Sequence, residues 1–319
     1  MKTKILEFTG KHQAGFKESD IGEIAAGDIV VRNNFSLVSP GTELALYTGN
    51  HIGFTDPEIT WARYPLDIGY SSVGEVVDSR NNAFPKGSIV MHYGAHSPLS
   101  ILDGNTLKAL VPENLREKEA CFGRFAQIAY SSVAACTRKP DCVLVYGAGI
   151  VGNLAAQWFI HKGASSVLIR DLSESRLEMA RLCGLLPDPK PALPPEIPPD
   201  TIIEATGSPT VLEKVLNEAA VSGQVVLLGS TRGSVEINVY KMIHRKALVV
   251  SGAHETVLGK SALSILENAL KLLGNGELKT TPLITHTISP EELPGIYEYL
   301  LKDPDKYLGV LVDWSTWND

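Results

Sequence analysis

The stretch CVLVYGAGIVGNLAAQWFIHKGASSVLIRD, residues 142–171, decides the fold. It opens with a continuous apolar run, Cys142 to Tyr146, short and β-branched enough to be a strand buried on both faces. Gly147-Ala148-Gly149-Ile150-Val151-Gly152 follows without a break. Ile150, Leu154 and Trp158 then recur at helical spacing as far as Gly163, a residue suited to ending a helix. A second apolar run, Val167 to Ile169, leads to Asp171. The sequence predicts strand, tight turn, helix and strand, with an acid at the tip of the second strand.

Each residue type has a task in that unit. Gly147 allows the sharp turn, Gly149 lets backbone approach a pyrophosphate, and Gly152 lets the helix pack close to the strand. The unpaired N–H groups and dipole of a helix N-terminus favour an anion there. Asp171, about 20 residues past the glycines, is placed to accept hydrogen bonds from both ribose hydroxyls. The pattern predicts a dinucleotide site. The competing reading is an ordinary βαβ crossover that binds nothing.

A chain of 319 residues is long for one core and predicts two domains. The net charge of −7 argues against a nucleic-acid surface. No apolar run reaches the length of a membrane span, and the start, Met1-Lys2-Thr3-Lys4, does not read as a signal peptide. Cys121, Cys136, Cys142 and Cys183 show neither metal-site spacing nor a disulfide framework, so reduced thiols and a cytoplasmic location are expected.

The residues before Val111 read as β-rich, with strand patterns at Ile29–Val38, Val73–Val77 and Ser88–Met91 and turns between them, which predicts a small barrel. Residues 49–65 lack periodicity and are expected to form a long surface loop. Glu113–Ala135 and Ser173–Cys183 read as helical. Residues 185–200 hold seven prolines and are expected to form a compact loop. Strand patterns at Thr201–Glu204, Gln224–Gly229 and Ala247–Gly252 enclose a helix at Thr210–Ala220. Strand and helix alternate from 116 to 254, which predicts a doubly wound parallel sheet, an α/β domain. Helical patterns at 261–273 and 290–302 precede a closing strand, Gly309–Asp313.

Several segments together resemble the medium-chain dehydrogenase/reductase superfamily, the alcohol dehydrogenase-like proteins. They are Tyr64-Pro65, Gly69-Tyr70-Ser71-Ser72-Val73-Gly74, Lys86-Gly87-Ser88-Ile89-Val90, Gly147–Gly152, Glu204-Ala205-Thr206-Gly207-Ser208-Pro209 and the run from Gly223 to Gly229. The resemblance implies a GroES-like β-barrel catalytic domain over 1–115 and 255–319. It implies a Rossmann domain over 116–254, with nicotinamide and a small-molecule substrate in the cleft between them. The implied cofactor set is Gly147, Gly149, Ile150, Val151, Gly152, Asp171, Leu172, Arg176, Thr206, Gly229, Ser230 and Gly252. Asp171 favours NAD over NADP by charge, although Arg170 or Arg176 could swing onto a 2′-phosphate.

The departures from that pattern concern zinc. Where zinc-dependent members carry a Cys-x-Thr-Asp segment, this chain has Ser39-Pro40-Gly41-Thr42-Glu43, a segment that resembles the bacteriochlorophyllide hydroxyethyl dehydrogenase group. Where they carry Gly-His-Glu, it has Gly69-Tyr70-Ser71, and the third ligand position falls near Arg124. A zinc-independent branch is therefore expected, with no metal. The resemblance implies that Tyr70 and Thr42 carry the substrate's proton, that Arg124 stabilises a developing oxyanion, and that Ser39, Tyr93 and His96 touch substrate. A nearby positive charge is expected to lower the Tyr70 pKa towards a phenolate. The alternatives stay open: Tyr70 fills vacated metal space, Thr42 caps a turn, Arg124 is a salt-bridged helix residue, and His92 and His96 are structural.

The expected activity is NAD(P)-linked interconversion of a secondary alcohol and a ketone. Reduction of an activated C=C by NADPH and a non-catalytic dinucleotide sensor are the alternatives. A homodimer is implied by the resemblance, with Ser234–Tyr240 read as an exposed edge strand that pairs with its twin.

Overall fold

The computed structural model describes residues 2–20, 22–188 and 198–317. The described strands, in chain order, are β1 (Lys2–Gly10), β2 (Gln13–Asp20), β3 (Ile29–Leu37), β4 (Leu66–Asp67), β5 (Ser72–Ser79), β6 (Ile89–His92), β7 (Leu99–Leu102) and β8 (Lys108–Leu110). They continue with β9 (Cys142–Tyr146), β10 (Ser166–Arg170), β11 (Leu186–Pro187), β12 (Thr201–Glu204), β13 (Gln224–Leu227), β14 (Val249–Gly252), β15 (Ile284–Ile288) and β16 (Gly309–Asp313). Two compact units result. The first comprises 1–124, 266–275 and 283–319, the second 125–265 and 276–282.

In the first unit β3 is the hub. It pairs antiparallel with β5, β7 and β16, so the closing strand of the chain is hydrogen-bonded to one of its first. The larger sheet runs β15-β16-β3-β5-β6-β8, and a second, β2-β1-β4, lies apart from it. Alternation along β3 buries Ile29 and Val31 with Val76, Val90 and Leu102. A separate core joins Leu6 and Phe8 of β1 to Tyr47, Ile68, Tyr297 and Trp314. Residues 49–65 are irregular apart from a short turn at Ile52–Phe54, as expected, yet Ala62 is fully buried in this second core. The loop is part of the packing as well as the surface.

The second unit is built on β9, whose Val143, Leu144 and Val145 are buried because parallel partners flank it on both sides. Its sheet is wholly parallel in the order β11-β10-β9-β12-β13-β14, the doubly wound order that alternating strand and helix predicts. The helix after β9, Ile150–His161, buries Trp158 completely, and the indole Nε1 donates to the Ala126 carbonyl at 2.8 Å. β11 adds a two-residue edge where sequence suggested only loop; residues 189–197 of that proline-rich stretch lie outside the described residues.

Two expectations are corrected. The helix over 113–135 is broken into Glu117–Ala120 and Gly123–Ala134. Pro112 and Leu115 close a turn ahead of the first piece, and Gly123 packs so near Leu270 that an added Cβ would lie 2.8 Å from it. The segment 234–240 is not a strand. Residues 234–238 are irregular, and Asn238 caps a helical turn, Val239–Met242, by accepting from the Lys241 N–H. The alternation there has a packing cause: Val235 and Ile237 pack against the core beside β12 and β13 without any ladder.

Candidate functional site

In the second unit the residues of the glycine turn divide by function. Gly147 has φ of 99°, the left-handed region that glycine adopts at no steric cost. A Cβ on Gly152 would lie 1.9 Å from the Gly147 carbonyl, so helix and turn touch only because residue 152 is glycine. Gly149 differs. It caps the helix in extended conformation, and a Cβ there would meet nothing within 4 Å. Its smallness leaves room beside the helix N-terminus, which fits a pyrophosphate cradle. Ile150 is buried, so only its backbone is offered, while Leu172, Thr206, Ser230 and Gly252 are exposed.

Asp171 follows β10, and its carboxylate accepts from the Ala148 N–H at 2.6 Å and the Ser173 N–H at 2.9 Å. These bonds hold it over the glycine turn with acceptor capacity left on each oxygen. An Arg176 guanidinium nitrogen lies 3.9 Å away. Arg170, by contrast, does not swing onto a phosphate. It is buried and bonded to Asp188, Tyr146 and, at 2.8 Å, Glu218.

Sequence reasoning left out Glu204. At the end of β12 its buried carboxylate accepts from the N–H groups of Thr206 and Gly207 and from the Thr206 hydroxyl. Burial pushes this carboxyl up, against those donors. The Glu-Ala-Thr-Gly segment was legible as a landmark, but nothing local marked the glutamate as the group that shapes the turn. Gly229 sits against the same turn, where a Cβ would lie 2.3 Å from the Gly207 nitrogen.

In the first unit Tyr70, Thr42 and Ser39 come together. The Tyr70 hydroxyl donates to Ser39 Oγ and is also hydrogen-bonded to the Thr42 side chain. Tyr70, Thr42, Glu43, Leu46, Trp61 and Ile68 are among the residues lining a cavity of about 320 Å³. The Arg124 guanidinium lies 5.7 Å from the Tyr70 ring centre and 4.1 Å from that of Tyr93, stacked as a cation on aromatic faces. The expectation of a lowered Tyr70 pKa is overturned. Burial raises it, the Glu43 charge raises it further, and Ser39, Thr42 and Arg124 offset this only in part.

His96 is placed differently from the expectation that it touches substrate. It is fully buried, with Nδ1 2.7 Å from Ser36 Oγ and Nε2 3.3 Å from Glu43. Glu43 also accepts from the Ser39 N–H at 3.0 Å and the Tyr297 hydroxyl at 2.7 Å. Tyr297 stands 254 residues from its partner, which no sequence spacing could reveal. His92 is fully buried too, between Asn33 Oδ1 at 2.8 Å and the Gly94 N–H at 3.0 Å.

No family model matches the chain. The 2-desacetyl-2-hydroxyethyl bacteriochlorophyllide A dehydrogenase of Cereibacter sphaeroides is 27% identical over 98% of this chain and 99% of its own length. The L-threonine 3-dehydrogenase of Photorhabdus laumondii is 30% identical over 57% of this chain and 54% of its own. Among solved structures, galactitol-1-phosphate dehydrogenase from Escherichia coli shares the fold, with a TM-score of 0.81 at 19% identity over 97% of this chain and 99% of that one. The chain belongs to the medium-chain dehydrogenase/reductase superfamily.

In this medium-chain dehydrogenase/reductase the positions expected to ligate zinc hold a hydroxyl, a phenol and, near the third, a guanidinium: Ser39, Tyr70 and Arg124. That set does not fit a zinc site, which takes thiolate, imidazole or carboxylate donors. Among the described residues no group of three or more His, Cys, Asp and Glu side chains is arranged to hold a metal ion.

His92 gives a measurable consequence. Burial, with the nearby Lys108 charge, pushes its imidazole down to about 3. Below the ordinary histidine value of about 6.5, the unfolded chain binds a proton that the folded chain refuses, so this group costs about 1.4 kcal/mol per pH unit as pH falls. Urea unfolding at pH 7, 6 and 5 should show a shallower loss of stability in His92→Gln than in the parent, by about that slope. Equal slopes would mean that His92 protonates in the fold.

Proposed function

We propose that the chain is an NAD(P)-linked oxidoreductase that interconverts a secondary alcohol and a ketone without zinc. The observation that carries this is the Tyr70 hydroxyl, tied to Ser39 and Thr42 on the wall of a cavity. The dehydrogenase names of both sequence relatives support the reaction class. The room at Gly149 and the carboxylate of Asp171 support a dinucleotide in the second unit. The first unit then carries the substrate, and Ser39 and Tyr93 lie beside Tyr70 and Arg124 on its side of the reaction.

A bound nicotinamide supplies or accepts the hydride at the carbinol carbon. Tyr70 gives or takes the proton on oxygen, Ser39 and Thr42 offer hydroxyls to pass it on, and Arg124 supplies a fixed positive charge for a developing oxyanion. Tyr70→Phe should cut turnover about 10²-fold or more, the scale of a positioned acid/base. Cofactor affinity should not change. The assay belongs on protein purified without chelator, in which elemental analysis should find far less than one zinc per chain. Full turnover in the variant, or stoichiometric zinc in the parent, would overturn this reading.

NAD(H) is the preferred cofactor, because Asp171 repels a 2′-phosphate and Arg170 is held in the sheet. Titration by intrinsic fluorescence should show tighter binding of NADH than of NADPH, and Asp171→Ser should narrow the gap. Tighter NADPH binding would reverse the assignment.

The chain forms a homodimer in this proposal. The described sheet of the second unit ends at β14, whose Val250 is 37% exposed, and such an edge is a template for a two-fold partner. Sedimentation at micromolar concentration should give twice 34.4 kDa, and a single 34.4 kDa species would exclude the dimer.

A further inference from the structure

Glu43 is 1% exposed, and its carboxylate gathers donors from three parts of the first unit. Ser39 gives its backbone N–H, Tyr297 its hydroxyl, and His96 its Nε2 side. Trp314 Nε1 donates to Ser36 Oγ at 2.9 Å, and that oxygen lies 2.7 Å from His96 Nδ1. In the tautomer where Nδ1 accepts from the Ser36 hydroxyl, Nε2–H donates to Glu43. Three donors converging on one carboxyl suit the acceptor-only, ionised form. The carboxylate sits one residue from Thr42, and its bond to the Ser39 N–H fixes the turn whose hydroxyl meets Tyr70.

We propose that Glu43 is a positioning residue that keeps Tyr70 a proton donor, so that the site is built to give a proton to a carbonyl oxygen during ketone reduction. This rests on the reading of Tyr70 as the acid/base. Charged and titratable groups approach Tyr70 from several elements. Glu43 comes from the helix Thr42–Tyr47, and His96 and Tyr297 are hydrogen-bonded to Glu43. Arg124 lies over the Tyr70 ring and over that of Tyr93, and Asp67, on the same cavity, is paired with Lys17. Burial disfavours the Tyr70 phenolate first, and of these groups Glu43 adds to that as the buried carboxylate beside it. Arg124 works in the opposite direction and does not cancel it.

In reduction the balance is simple. A bound NADH would supply the hydride for the new C–H bond, and as the carbonyl π pair moves to oxygen the Tyr70 O–H proton completes the alcohol. Tyr70 then regains a proton through the Ser39 or Thr42 hydroxyl. In oxidation the same group must first lose its proton, so oxidation should climb with pH well past neutrality while reduction stays level until Tyr70 ionises.

Two measurements test this. Ultraviolet difference titration of the parent against Tyr70→Phe isolates the Tyr70 phenol, which should ionise above the free-tyrosine value of about 10. Ionisation below that value overturns the proposal, and this arm needs no Glu43 variant to fold. The second arm is the pH profile of kcat/KM in Glu43→Gln, checked for folding by circular dichroism. The amide keeps an acceptor oxygen but loses the charge, so the rising limb of oxidation should move down by about one pH unit, a tenfold gain at fixed pH on that limb. Glu43→Asp should restore the parent limb. A merely structural role would lower activity at every pH and leave the limb in place, and that result overturns the proposal. Full turnover in Tyr70→Phe would instead remove the acid/base reading beneath it, which makes the two failures distinguishable.

Discussion

A carboxylate sealed from water holds the first unit together around its site. Taking such a charge out of water costs several kcal/mol, which geometry must offset. Glu43 meets that demand with three donors, each hydrogen bond to a charged group contributing about 1.5–3 kcal/mol. The donors come from the turn before the first helix, from the loop after β6, and from the helix Leu293–Lys302 near the end of the chain. The charge can stay buried only if all three segments stand where they do. It therefore fixes the site's geometry and its electrostatics together.

The second unit solves a similar problem locally. Glu204 is also a buried carboxylate, but its donors are Thr206 and Gly207 of its own turn. Among the described residues only these two donate, nothing distant is recruited, and the turn bearing Thr206 is shaped by the strand that delivers it. Arg170 is the opposite charge in the same sheet, matched by Asp188 and Glu218. One unit uses a buried charge to join remote parts of the chain, the other to stiffen a single connection.

This difference explains what could be read from the sequence. The parallel sheet was legible almost strand by strand, because β9 is a continuous apolar run and β12 and β13 carry short β-branched apolar cores, separated by helices of ordinary length. The glycine turn and Asp171 were legible because their chemistry is local. The network around Glu43 was not, since Ser36, His96, Tyr297 and Trp314 meet only through tertiary folding. Tyr70 and Arg124 were found as substitutions at expected ligand positions, and Arg124 does act to lower the Tyr70 pKa, but the net direction was misjudged because burial and Glu43 raise it more. Arg124 was visible as a cation, whereas the burial of Tyr70 and the charge beneath it were not. Ser234–Tyr240 failed for another reason: an alternating pattern records which side chains meet a core, and a segment can satisfy it without a hydrogen-bonded neighbour.

The contact between the loops after β12 and β13 has an evolutionary side. A Cβ on Gly229 would strike the nitrogen of Gly207, and a Cβ on Gly207 would strike the Ser230 carbonyl. Backbone faces backbone there, so no side chain exists that a compensating substitution could shorten. The two positions are locked to one another whatever occupies the surface above them. Their glycines would persist in a descendant that had lost every ligand, and glycine at these two sites is a record of how the loops stack rather than of what they bind.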